Sequence, residues 1–129
     1  MPFNIDHIHL KSIDPKKTAD WFVKAFNVEI VSDKVRPVGD RFIATKTEDG
    51  FTINISSERT NEVLGPADAN PHYGLEHFGL TTDDMDGELA RLVAMGAEHK
   101  EGPINNGGGV TIAFISAPGD IRIELLQRE

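Results

Sequence analysis

Four side chains in this sequence carry the donors that a borderline divalent cation selects: His7 and His9 near the start, His77 past the midpoint and Glu124 near the end. Two neutral imidazoles and one carboxylate bind such an ion and leave coordination positions open for water or substrate. With no cysteine in the chain, thiolate ligands, thiolate nucleophiles and disulfides are excluded. Taken one at a time, a histidine in a strand and a glutamate near the end of a chain are ordinary polar residues. What sets these apart is their place in an internal repeat.

Laid on itself with an offset of 77 − 7 = 70, the sequence brings DHIHLKSIDP, beginning at Asp6, onto EHFGLTTDDM, beginning at Glu76. Asp6 then meets Glu76, His7 meets His77, Leu10 meets Leu80 and Asp14 meets Asp84. The offset continues into a helix, where Ala19, Phe22, Val23 and Phe26 fall on Leu89, Leu92, Val93 and Gly96, the spacing of one apolar face. Asp14 before Pro15, and Asp83 with Asp84, supply N-terminal caps, and Gly96 is a C-terminal stop. Further on, the apolar run around Phe42 aligns with that around Ile112, and Phe51, Ile53 and Ile55 align with Ile121, Ile123 and Leu125 in the period-2 alternation of half-buried strands. A turn-rich segment from about Gly65 to Pro71 separates the copies. Each copy therefore predicts strand, helix, strand, strand, strand. The expected organisation is a single domain over 1–129, with module one at about 1–64 and module two at about 72–129.

Alternation fixes which way the polar residues point. Ile8 and Leu10 face the helix, so His7 and His9 face away from it, and likewise Phe78 and Leu80 turn inward and leave His77 and Gly79 outward. In the last strands Thr52, Asn54 and Ser56, and Arg122, Glu124 and Leu126, share that outward face. Glu124 is the repeat partner of Asn54, because 124 − 54 is again 70. Copies related by a pseudo-twofold axis would gather these positions around it, with His7, His77 and Glu124 as the metal ligands. His9 is then a candidate for proton transfer or for support of a ligand, and Arg122 for pairing with an anionic substrate group or bracing Glu124. Asn105, Asn106 and Gly107 to Gly109 predict a mobile loop able to cover a ligand. His99 matches Glu29 in the repeat and is peripheral; His72 and Tyr73, just ahead of the second copy, have no assigned role.

Composition narrows the partners. Thirteen basic against twenty-one acidic residues leave a net charge of −8, which argues against nucleic acid and anionic membranes. Residues 1–10 show no basic leader followed by an apolar run, and no stretch approaches the roughly 18 apolar residues of a membrane span. The expectation is a small soluble, cytoplasmic protein.

DHIHL at Asp6 to Leu10, EHFGLTTDD at Glu76 to Asp84 and APGDIRIELLQ at Ala117 to Gln127 resemble the two histidine strands and the final carboxylate strand of the vicinal oxygen chelate superfamily. That superfamily includes glyoxalase I, methylmalonyl-CoA epimerase, extradiol dioxygenases, fosfomycin-resistance enzymes and bleomycin-resistance proteins, and the resemblance spans nearly the whole chain. It implies an α+β fold of two βαβββ modules whose curled mixed sheets form an open cup around a divalent ion such as Ni, Co, Mn, Fe or Zn, in a homodimer acting on a small molecule. The activity it implies is that of a metal-dependent lyase or isomerase stabilising an enolate-type intermediate, with Glu124 also able to shuttle a proton. Members with that chemistry often bring a fourth ligand, Glu or Gln, from the position held here by Asn54; the shorter neutral amide departs from the pattern and leaves weak binding, a held water or substrate orientation as its role. A ring-cleaving dioxygenase with a two-histidine, one-carboxylate iron site is the second expectation. A metal-free drug-binding protein is the third, and the presence of the metal residues weighs against it.

Overall fold

The computed structural model describes residues 2–129. The chain divides into two compact units, Met1–Gly65 and Pro66–Glu129. The first contains β1 (His7–Lys11), α1 (Pro15–Phe26), β2 (Glu29–Val35), β3 (Arg41–Lys46) and β4 (Thr52–Ser56); the second contains β5 (Phe78–Thr81), α2 (Met85–Ala94), β6 (Glu98–Asn105), β7 (Val110–Ala117) and β8 (Ile121–Arg128). Each is a βαβββ module with one four-stranded mixed sheet, ordered β1-β4-β3-β2 in the first and β5-β8-β7-β6 in the second. The first and last strands of each module run parallel, and the other pairs are antiparallel.

The repeat reaches down to single hydrogen bonds. His9 pairs with Asn54 across β1 and β4, and Gly79 with Glu124 across β5 and β8, each 70 residues on. Phe42 opposite Ser56 recurs as Ile112 opposite Leu126. The Asp14 carboxylate accepts from the Lys17 amide at 3.2 Å, as Asp84 does from Gly87 at 3.1 Å, which satisfies helix-end donors in both modules. The Ser12 hydroxyl and the Thr82 hydroxyl each accept from the cap residue's own amide at 3.1 Å.

Each helix covers one face of its own sheet. In module one Ala19, Phe22 and Ala25 bury against Ile43, Ile53 and Ile55; in module two Met85, Leu89 and Leu92 bury against the β8 side chains Ile123 and Leu125. The alternation leaves His7 and His9 exposed on the opposite face, with Thr52 and Asn54 only partly covered. Phe26 and Val23 are half-buried and Val93 is exposed, so the buried stripe is narrower than the sequence spacing predicts.

Two expectations are corrected. α2 ends two residues earlier than its counterpart at the 70-residue offset: Gly96, at φ 104°, donates to Val93 and Ala97 donates to Leu92, a Schellman closure, whereas α1 ends on left-handed Asn27. As a result His99 pairs with Ile115 as Ile30 pairs with Thr45, so His99 matches Ile30, and not Glu29; a second bulge in β6 restores the offset by Ile104. The glycine run, expected as a loose loop, is an ordered turn. Gly107, Gly108 and Gly109, all at positive φ, close the β6–β7 hairpin, with Asn106 donating to Val110 and Val110 to Gly107.

Candidate metal centre

His77 stands immediately before β5, and Glu124 lies in the middle of β8, the strand paired with β5. Their side chains meet, with Nε2 of His77 3.7 Å from Oε2 of Glu124. Metal bonds to such donors are about 2.0–2.2 Å long, so two donors up to about 4 Å apart can share one ion. The pair fits that limit. Gly79, opposite Glu124 in the ladder, keeps the space beside the carboxylate open: a Cβ there would stand 3.5 Å from Glu124 Oε1 and 2.8 Å from Leu126 Cδ1.

The other nitrogen of His77 is committed. Nδ1 bonds Oε1 of Glu76 at 3.0 Å. In module one His7 repeats the arrangement, with Nδ1 bonded to Oδ2 of Asp6 at 2.7 Å. A carboxylate on Nδ1 fixes the ring and directs Nε2 outward as a ligand. Both histidines therefore carry the partner expected of metal-binding imidazoles. Sequence reasoning aligned Asp6 with Glu76 without giving either a role; the signal was an acid immediately ahead of each histidine. Among the described residues no group of three or more His, Cys, Asp or Glu is arranged to hold an ion. The structure thus brings together two of the three expected ligands, His77 and Glu124, and His7 belongs to the other unit.

His9 lies on β1 with Nε2 bonded to the buried Ser56 hydroxyl at 2.7 Å and its ring edge-on to Phe42, 5.3 Å between centroids. Burial lowers its pKa, and the neighbouring Lys11, Arg36 and His7 lower it further. The ring is consequently held neutral, the form that accepts a proton. Asn54 sits beside His9 in the ladder and is partly exposed.

Among the described residues Arg122 shows no hydrogen bond or ion pair with Glu124, and its contacts lie elsewhere. Its side chain is 5% exposed, and its guanidinium lies over the Phe114 ring at 4.2 Å. Nη1 donates to the Ala69 carbonyl at 3.1 Å, Nη2 reaches Glu101 at 3.4 Å, and Nε stands 3.3 Å from Oε1 of Glu76. The guanidinium is thus held at both Nη atoms by the protein. His72 bonds the carbonyls of Asn70 and Leu75 and ties the segment ahead of β5. No helix is long and apolar enough to cross a membrane among the described residues.

Comparison with known proteins places this geometry in context. The curated proteins contain no match to the sequence. Among solved structures, a glyoxalase family protein from Bacillus cereus superposes with a TM-score of 0.87 at 17% identity, over 99% of this chain and 95% of the other. The fosfomycin resistance protein FosX from Listeria monocytogenes superposes at 0.78, with 19% identity, over 100% of this chain and 96% of the other. A second structure of FosX, complexed with Mn(II) and sulfate, gives 0.74 at 18% identity, over 100% and 95%. At such identities the superpositions establish the fold. The sequence profile of one family matches residues 4–125, and on that match the chain belongs to the Glyoxalase/Bleomycin resistance protein/Dioxygenase superfamily.

Proposed function

We propose that the protein is a metal-dependent enzyme of the glyoxalase-like class, a lyase or isomerase acting on a small oxygenated substrate. The observation that carries this is the His77–Glu124 pair, with Nδ1 of the histidine held by Glu76 and Nε2 turned to the carboxylate. His7, held in the same way by Asp6, supplies the third ligand from the same chain or from a second copy in a homodimer. FosX, a structural neighbour, has been crystallised with Mn(II), which supports a divalent ion as the cofactor. His77, Glu124 and His7 would hold the ion, which when bound would supply positive charge to stabilise negative charge developing on a substrate oxygen.

The chain's own residues do the rest. His9, neutral and anchored on Ser56, accepts a substrate proton. Glu124, at 16% side-chain exposure, is screened from bulk water, which strengthens its hold on a cation. Asn54, beside His9, orients a substrate oxygen through its amide. The same ligand set also serves an oxygen-dependent iron enzyme. The superfamily's name includes dioxygenases, so that activity is the second reading.

Elemental analysis of protein purified without a metal-affinity tag tests the proposal. One divalent ion per chain in the wild type, lost in His77→Ala and in Glu124→Ala, is the expected result. Metal-free protein that takes up no ion on titration with Mn(II), Co(II), Ni(II) or Zn(II) overturns it in favour of a metal-free binding protein. Turnover that requires both iron and oxygen moves it to the dioxygenase reading.

A further inference from the structure

Module two holds its candidate ligand histidine through buried contacts that module one lacks. Arg122 Nε is buried, and among the described residues nothing accepts a hydrogen bond from it. A buried guanidinium N–H left unbonded costs free energy, which an acceptor brought into bonding geometry recovers. Such an acceptor stands 3.3 Å away, Oε1 of Glu76, the same oxygen that bonds Nδ1 of His77 at 3.0 Å. Phe114 completes the arrangement: the guanidinium of Arg122 lies over its face at 4.2 Å and the ring of His77 meets it edge-on at 5.0 Å. The Ala69 carbonyl and Glu101 hold the far side of the guanidinium.

From this geometry we infer that Glu76 and Arg122 form a positioning relay, which fixes His77 as the Nδ1–H tautomer and points its Nε2 lone pair at the metal. The inference rests on the reading of His77 as a ligand. A neutral imidazole left to itself distributes its proton between both nitrogens, and only one of the two forms offers Nε2 as a donor to a cation. The carboxylate of Glu76 selects that form, and Arg122 holds the carboxylate in place. Among the described residues His7 has no counterpart of this arrangement beyond the carboxylate. The repeat partners of Arg122 and Phe114 are Thr52 (122 − 70) and Ala44 (114 − 70). Asp6 is 91% exposed and His7 42%. The relay makes His77 the ligand held by two further side chains, whereas His7 is held by the exposed Asp6.

The test uses the intact metal-free protein labelled with nitrogen-15. Long-range proton–nitrogen spectra at mildly alkaline pH read the tautomer of His77, and Co(II) titration reads affinity. The wild type should show His77 as Nδ1–H. Glu76→Ala and Arg122→Met should each shift it toward the Nε2–H form and weaken Co(II) binding by about 10- to 100-fold, the range for loss of a carboxylate behind a ligand histidine; Asp6→Ala should weaken it less. Should Arg122→Met fail to fold, Glu76→Ala on the partly exposed carboxylate decides alone. An Nε2–H tautomer in the wild type, or wild-type tautomer and affinity in Glu76→Ala, overturns the relay while leaving the metal reading intact. Unchanged Co(II) affinity in His77→Ala overturns both.

Discussion

Where module one sets His9 beside Asn54, module two sets Gly79 beside Glu124 at the equivalent pair of the parallel ladder. The ladder registers agree at this pair, and the chemistry is divided between the modules. Module two carries the anionic donor, clears space beside it with a glycine, and half-buries its histidine; module one carries a neutral amide, a second histidine, and a first histidine open to solvent. The difference teaches that the duplicated frame fixes where a side chain points, and each half's packing decides what it can do.

A second comparison makes the same point. Both modules stack a histidine edge-on to a phenylalanine that has an arginine on its face: His9, Phe42 and Arg36 in one, His77, Phe114 and Arg122 in the other. The positions are not repeat partners, since Phe42 corresponds to Ile112. Arg36 is held by a bidentate pair with the fully buried Asp40, at 2.8 and 2.6 Å, and this keeps the Asp40 carboxyl below its usual range. Arg122 spends its charge on Glu76 and Glu101. In module one the stack supports a hairpin, and in module two it supports the residue ahead of a ligand.

The strongest way to break the comparison is in the cores. Ile53 and Ile123 are repeat partners, 1% and 0% exposed. Ile53→Ala and Ile123→Ala should each cost about 2–5 kcal/mol by denaturant unfolding, and a cost confined to one module would show that the equivalence stops at the backbone. A smaller effect sharpens the division of chemistry: Asn54→Glu gives module one the donor that module two already has, and should tighten Co(II) binding about tenfold, about 1.4 kcal/mol. Unchanged affinity would remove position 54 from the centre. Gly79→Ala should cost about 1 kcal/mol, because the tip of Leu126 must move aside for the new Cβ, and should weaken metal binding a few-fold through contact with Glu124. Wild-type affinity in the Gly79→Ala variant would mean that the open space has no role.

The smallest effect is in the segment ahead of β5. His72 bonds two carbonyls, and only the protonated ring can donate to both, so its pKa is raised above 6.5. A raised folded pKa gives stability that is fully present below 6.5 and is lost as pH rises through the folded value. Amide exchange in residues 70–75 should therefore speed up across neutral pH beyond the ordinary base-catalysed trend, and His72→Gln should remove that excess.

The 70-residue offset, both caps, the Gly96 stop and the outward positions of His7, His77 and Glu124 were legible in the sequence, because periodicity and capping are local properties of the chain. The slip at His99 was not. It arises from where α2 closes and where β6 bulges, and neither leaves a periodic mark. The partners of Arg122 were not legible either, since Ala69, Glu76 and Glu101 lie 21 to 53 residues away and only packing brings them together. The hairpin made by Gly107 to Gly109 looked like slack chain because glycine permits both readings.

A crystal structure of Mn(II)-loaded protein, with the ion located by its anomalous scattering, tests the central claim most directly. The account predicts one ion bonded to Nε2 of His7, Nε2 of His77 and a carboxylate oxygen of Glu124, with both Nδ1 atoms on Asp6 and Glu76. An ion bound elsewhere, or through Nδ1, or without His77 and Glu124 together, would contradict it.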